Sequence, residues 1–181
     1  MEDISQNIEV AKTELFKYFS MRPNVVWKEE DLQSHLYHQL LVCEPKLKKR
    51  LHREFPVIIS SKPRKWGMLD LAITDESSKH FCLEDVKIDY AIELKFPRRW
   101  ETGLSPTSLK GFENECKKDC KKLLSTAINF KEETKKYFWA FRLTKATQIK
   151  EIRKIFQKIN WAGIEHNYIE CYANGSECQI I

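Results

Sequence analysis

Gly67-Met68-Leu69-Asp70-Leu71-Ala72-Ile73 and, farther along, Tyr90-Ala91-Ile92-Glu93-Leu94-Lys95-Phe96 are the two stretches that decide how this chain is read. In the second, Tyr90, Ile92, Leu94 and Phe96 alternate, the period of a strand, so Glu93 and Lys95 emerge together on its other face. In the first, Leu69, Leu71 and Ile73 read as one apolar face, which leaves Asp70 on the other beside the small Ala72. If the two strands pair, Asp70 and Glu93 converge. Close carboxylates repel and tend to share a proton unless a cation intervenes, and hard oxygen ligands of this kind suit Mg²⁺. An acidic pair beside a lysine therefore reads as a metal site with a positive neighbour.

Outward from these stretches the periodicity predicts the remaining elements. Upstream, Phe55, Val57 and Ile59 form another strand, so three strands follow one another without a helix, the second and third joined by a long polar connection from Thr74 to Asp89. Before them, Ile4, Ile8, Ala11, Leu15 and Phe19 outline a helix over 4–19, closed by Pro23 and Asn24. Leu32, Leu36, Leu40 and Leu41 outline a second helix over 29–42, with Glu29, Glu30 and Asp31 in its first turn, where the helix dipole favours acids. Downstream, Ser105 as N-cap and Pro106 at the first helical position open a long helix through Leu109, Phe112, Cys116, Leu123, Ala127 and Ile128. Tyr137 to Leu143 reads as a buried strand, 147–160 as a helix, His166 to Tyr172 as a last strand, and 173–181 as a loose tail. The order is α α β β β α β α β within one domain over 1–181, an α/β class.

Asp70 on one strand, Glu93-Leu94-Lys95 on the next and an acidic helix upstream resemble the PD-(D/E)XK, or restriction-endonuclease-like, nuclease superfamily. The likeness spans roughly residues 29 to 143, with Leu69 standing where the name-giving proline would be. It implies an αβββαβ core with a mixed central sheet flanked by helices, extended by the N-terminal helix and by a C-terminal helix and strand. It also implies that Asp70 and Glu93 ligate Mg²⁺, or Mn²⁺ in its place, with the backbone carbonyl of Leu94. Lys95 then orients or deprotonates the attacking water and steadies phosphate charge. The family's helical glutamate matches Glu30, with Glu29 competing, and Gln33 supports the site. Glu54 either faces the cleft or makes an ordinary ion pair. On the helix after the motif, Asp119 and Lys122 can reach the site, although each reads individually as part of a solvated face beside Lys117, Lys118 and Lys121. The implied activity is a DNA endonuclease working as a homodimer. RNA cleavage and a catalytically silent binding module are the alternatives.

Charge supports a polyanionic partner. The 181 residues carry a net charge of +5, yet residues 1–45 hold four Lys or Arg against eight Asp or Glu. The excess of positive charge therefore lies beyond residue 45, first in a run from Lys46 to Arg53. Lys62, Arg64 and Lys65 enter the Asp70 strand, and Arg98 and Arg99 leave the Lys95 strand, so both groups are candidates to hold phosphates of a nucleic acid, together with Lys122. Trp66 and Trp100 flank the same segments and either stack on bases or pack. The six cysteines show no C-x-x-C pair and read as free thiols, and neither Cys116 with Cys120 nor His35 with His38 brings enough ligands for a metal. No apolar run is long enough to cross a bilayer, and the first twenty residues are acidic and amphipathic. The expectation is a cytoplasmic or nucleoid-associated protein with no membrane partner.

Overall fold

Residues whose apolar side chains alternate become strands here because helices cover both faces of the sheet they build. The computed structural model describes residues 4–21, 28–76, 85–96, 106–144, 149–172 and 178–180. Its elements are α1 (Ile4–Met21), α2 (Glu29–Cys43), a short 3-10 turn (Pro45–Lys49), β1 (Leu51–Ser61), β2 (Arg64–Thr74), β3 (Ile88–Lys95), α3 (Pro106–Leu123), β4 (Phe130–Thr144), α4 (Ile149–Lys158), β5 (Glu165–Tyr172) and β6 (Cys178–Ile180). The sheet has six strands in sequence order. β1, β2 and β3 form an antiparallel meander, β3, β4 and β5 run parallel with α3 and α4 as crossovers, and β6 returns antiparallel to β5. It is an α/β fold with a mixed sheet flanked by helices. Among the described residues no helix is long and apolar enough to cross a membrane.

Two apolar clusters hold the layers together. On one face, Ile8, Leu15, Phe16 and Phe19 of α1 and Leu32, Leu36 and Leu40 of α2 meet Leu71, Ile73, Ile92, Leu94, Trp139 and Phe141. On the other, Phe112, Cys116, Cys120 and Leu123 of α3 and Phe156 of α4 meet Leu69, Ala72, Ala91, Phe138 and Tyr168. The continuous run in β4 is thereby explained: Trp139 and Phe141 serve one layer and Phe138 and Ala140 the other, as a central parallel strand requires.

The structure corrects the reading of the Asp70 strand in one respect. Leu69 does not share a face with Leu71 and Ile73 but packs in the opposite cluster, and in β1 Leu51 and Phe55 part company in the same way. The exchange falls where Glu54 adopts a left-handed φ of 49° between the pairs Arg53 with Leu71 and Phe55 with Leu69. The register runs unbroken across this point, so both strands exchange faces together at the level of Glu54 and Asp70.

The C-terminal expectations also change. Residues 178–180 form β6, with Ile169 opposite Ile180, where a loose tail was expected. Cys171, expected as a free thiol, is disulfide-bonded, and Cys178 stands across from it in the ladder. Cys43, Cys116 and Cys120 are free.

Candidate active site

β2 and β3 stop pairing where the candidate site begins. Their last recorded pair toward this end is Leu71 with Ile92, and one further step in that register sets Asp70 across from Glu93. There Asp70 inserts its carboxylate between the strands: Oδ2 accepts the Leu94 backbone N–H at 2.6 Å. Two residues on, the Phe96 N–H, which points to the same edge, donates to Glu29 Oε2 at 3.0 Å. Carboxylates from β2 and α2 thus take the place of the missing strand partner. On its other edge β3 stays paired with β4 as far as Lys95 with Ala140, which keeps the backbone of the fork fixed.

Helices close the fork from both faces. From α2, Gln33, only 3 % exposed, donates Nε2 to Asp70 Oδ1 at 3.0 Å, while Glu29 one turn earlier lies 3.3 Å from Lys95 Nζ. From α3, Asp119 lies 3.2 Å from Lys95 Nζ and 3.3 Å from Lys122 Nζ, and Lys122 donates to Glu93 Oε2 and to the Met68 carbonyl, each at 2.7 Å. Glu115, largely exposed, stands 3.9 Å from Lys95. Gly67 makes room for Ile59: a Cβ there would lie 2.9 Å from Ile59 Cγ2, while the Lys122 Cδ at 3.7 Å would be in ordinary contact.

The electrostatics follow from burial. Burial pushes the Asp70 carboxyl up to about 7, with the Glu29 charge adding and the Leu94 N–H and Lys122 opposing. Glu93, 1 % exposed, is driven well above the usual carboxylate range by burial first and by Asp70 second, against the pull of Lys122. Glu29 is raised by burial, with Lys95 opposing. For Lys95 burial works against the charged form, but Asp119, Glu29 and Asp70 outweigh it and hold the ammonium charged more firmly than an ordinary lysine; Glu93 and Asp119 do the same for Lys122. Four carboxylates, Asp70, Glu93, Glu29 and Asp119, thus surround two ammoniums, which leaves two negative charges unmatched when all are ionised.

The unmatched charge is what a hard divalent cation would neutralise. Among the described residues no three His, Cys, Asp or Glu side chains form a ready-made ligand group. Mg²⁺ does not need one, because it commonly takes one or two carboxylates and keeps several waters. Glu93 Oε1 is buried with no hydrogen-bond partner, an acceptor suited to a cation. The Leu94 carbonyl faces the same strand edge as its N–H, the edge that Asp70 occupies. Asp70, Glu93 and Leu94 therefore fit the ion, with Lys95 beside them.

The structure brings together Asp70, Glu93, Lys95 and Lys122, with Gln33 against Asp70. On α2 it is Glu29 that reaches Lys95 and β3; Glu30 keeps a buried Oε2 with no hydrogen-bond partner. Glu54 is exposed, and Lys62, Arg64 and Lys65 are exposed around the β1–β2 turn, roughly 20 Å from Asp70 at the rise of an extended strand. Arg98, Arg99 and Trp100 lie outside the described residues. Asp119 and Lys122 contribute more than a solvated-face reading allowed. Their i, i+3 spacing, with Glu115 one turn before, is the signal that they share a helix face. Cys116 and Cys120 are core thiols whose pKa values burial raises, and His35 stacks on Tyr18 with ring centres 4.0 Å apart.

Beside the site lies a groove of about 890 Å³ between β2 and α3, lined by Trp66, Gly67, Met68, Lys117, Lys118, Lys121, Lys122 and Leu124 among others. A scan against protein-family models and searches of curated proteins and of solved structures found no match to this chain.

Proposed function

We propose that the chain is a Mg²⁺-dependent nuclease of the restriction-endonuclease-like kind that hydrolyses DNA phosphodiesters at Asp70, Glu93 and Lys95. The observation that carries this reading is the gathering of four carboxylates around two ammoniums at the strand fork, with an unpartnered Glu93 oxygen and a fixed ammonium beside it. Structural ion-pair networks tend to balance, because each uncompensated buried charge costs several kcal/mol, roughly, so an imbalance of this kind speaks for a ligand. Asp70, Glu93 and the Leu94 carbonyl hold the ion, and Gln33 fixes the Asp70 carboxylate. A bound Mg²⁺ or Mn²⁺ would supply an acidified water and charge neutralisation at the phosphate. Lys95, gripped by Glu29 and Asp119, presents a positive charge to the same place and stabilises the developing phosphorane.

Cutting both strands of a duplex takes two such sites, so a homodimer belongs to this reading, as does a cytoplasmic or nucleoid setting. The test is incubation of the full chain with supercoiled plasmid and Mg²⁺. Wild type should nick or linearise it, and Lys95→Ala and Asp70→Asn should lose at least a hundredfold in rate. Equal behaviour of wild type and Lys95→Ala rules the enzyme out.

One observation favours a second reading. Lys122 already satisfies Glu93 Oε2, so the fork is partly closed by an internal cation. A catalytically silent module that binds nucleic acid or a protein partner would be held together in this way. A ribonuclease would use the same groups, since metal and carboxylates attack either backbone.

A further inference from the structure

The groove beside the site combines two chemistries that a duplex backbone does not need together. Of the large apolar side chains most exposed among the described residues, Trp66 at 50 %, Met68 at 46 % and Leu124 at 41 % all line it. They stand among exposed Lys117, Lys118 and Lys121, while Lys122 and Asp119 join the groove to the fork. Trp66 also lines a second cavity of about 330 Å³, on the side of Phe55, Val57, Ile128 and Arg64, and the Arg64 guanidinium sits 4.8 Å from its ring centre. Trp66 thus stands as an aromatic divider between a lysine-lined groove and a recess lined in part by apolar side chains.

We infer that this groove is a binding track for single-stranded nucleic acid, in which Lys118 and Lys121 hold phosphates and Trp66 stacks on an unpaired base. In a duplex the base faces are hidden against each other, so exposed Trp66, Met68 and Leu124 would gain little from it. In a single strand every base offers an open face, and positive charge alternating with aromatic surface suits it. The inference deepens the proposed nuclease reading and rests on it for the site that the strand feeds, by making the preferred substrate a single-stranded segment, tail or unpaired junction.

Binding is measured in EDTA, where no cleavage intervenes, by fluorescence anisotropy of labelled oligonucleotides of about 12 nucleotides. Single-stranded DNA, single-stranded RNA and the blunt DNA duplex of the same sequence are compared. A single strand of either sugar should bind at least tenfold more tightly than the duplex. Trp66→Ala should weaken single-strand binding by about tenfold, the scale of one stacked base, with Trp66→Phe recovering most of it. Lys118→Gln combined with Lys121→Gln should reduce the slope of log affinity against log salt by about 1.4, two phosphates at the single-strand coefficient. Duplex binding equal to or tighter than single-strand binding, unchanged affinity in Trp66→Ala, or no binding to any of the three probes overturns the inference. Since none of these readouts requires metal or catalysis, failure here is distinct from failure of the plasmid assay. These side chains are exposed, so the variants should fold, and unchanged thermal melting verifies it.

Discussion

Asp70 accepts hydrogen bonds from Gln33 and the Leu94 N–H, yet burial and the Glu29 charge still push its carboxyl up to about 7. An unfolded aspartate titrates near 4, so between about pH 4 and 7 the folded chain binds the extra proton. Stability in EDTA is therefore greatest below about pH 4 as far as this group is concerned, and is lost as the pH rises through 7. Thermal melts in EDTA should show Asp70→Asn gaining on wild type from pH 5 to pH 8, by roughly 2–3 kcal/mol, because about two pKa units of 1.36 kcal/mol each fall between pH 5 and the folded value of about 7. A constant gap across that range would show that Asp70 carries no such penalty. Lys122→Met removes the cation that opposes burial at Glu93, so the carboxyl is driven further up and the variant should lose up to about 3 kcal/mol, with the gap to wild type widening as the pH rises. Mn²⁺ should raise the melting temperature of that variant more than that of wild type. At this scale strand alternation isolates Glu93 and Lys95 among apolar residues, whereas Asp70 meets them in a way alternation does not carry, its carboxylate turning in between the strands to the Leu94 N–H. The sequence could not choose between Glu29 and Glu30: both lie within one turn of Gln33, at i, i+4 and i, i+3, and only the docked helix shows that Glu29 is the one that reaches Lys95 and the Phe96 N–H.

Among the elements, the β1–β2 hairpin departs furthest from simple periodicity. Leu69, Leu71 and Ile73 look like one face, but Leu69 serves the α3 layer and Leu71 the α1–α2 layer, and the exchange falls at the level of the left-handed Glu54. The sequence carries no sign of this, since neither Gly nor Asn marks the position. The same exchange accompanies the carboxylate of Asp70 turning toward β3 rather than standing on either face. Gly67 is the matching close approach. Gly67→Ala would place a Cβ 2.9 Å from Ile59 Cγ2, and displacing that branched side chain should cost about 1–3 kcal/mol in a denaturant melt. Ile59→Ala in the same chain should restore part of the loss; an unaffected Gly67→Ala would mean that the hairpin yields freely there. By contrast α3 is legible in outline, because Phe112, Cys116 and Leu123 fix its buried stripe and leave Asp119 and Lys122 on the flank toward β3. The β6 pairing was not legible, because three residues carry too little periodicity to read as a strand.

For the molecule as a whole, the sheet separates two apolar clusters, and the charged fork occupies the seam where α2 from one layer and α3 from the other meet β3. α1 adds Ile8, Leu15, Phe16 and Phe19 to the first cluster, and its contribution is to stability. Phe19→Ala removes a fully buried ring that meets Phe96 and Phe141 edge-on, and should cost about 3–5 kcal/mol while leaving metal affinity unchanged in the folded protein. The net charge of +5 is drawn from regions outside the acidic first quarter of the chain, and the lysines of α3 bring part of it to the groove beside the fork. All of this turns on whether the excess carboxylate charge is a cation site. A Mn²⁺ titration of the full chain, following the free ion by electron paramagnetic resonance, measures that directly. The expected result is saturable uptake by wild type that is abolished in Asp70→Asn and in Glu93→Gln and retained in Lys118→Gln. No uptake by wild type, or the same uptake by all four proteins, would contradict it.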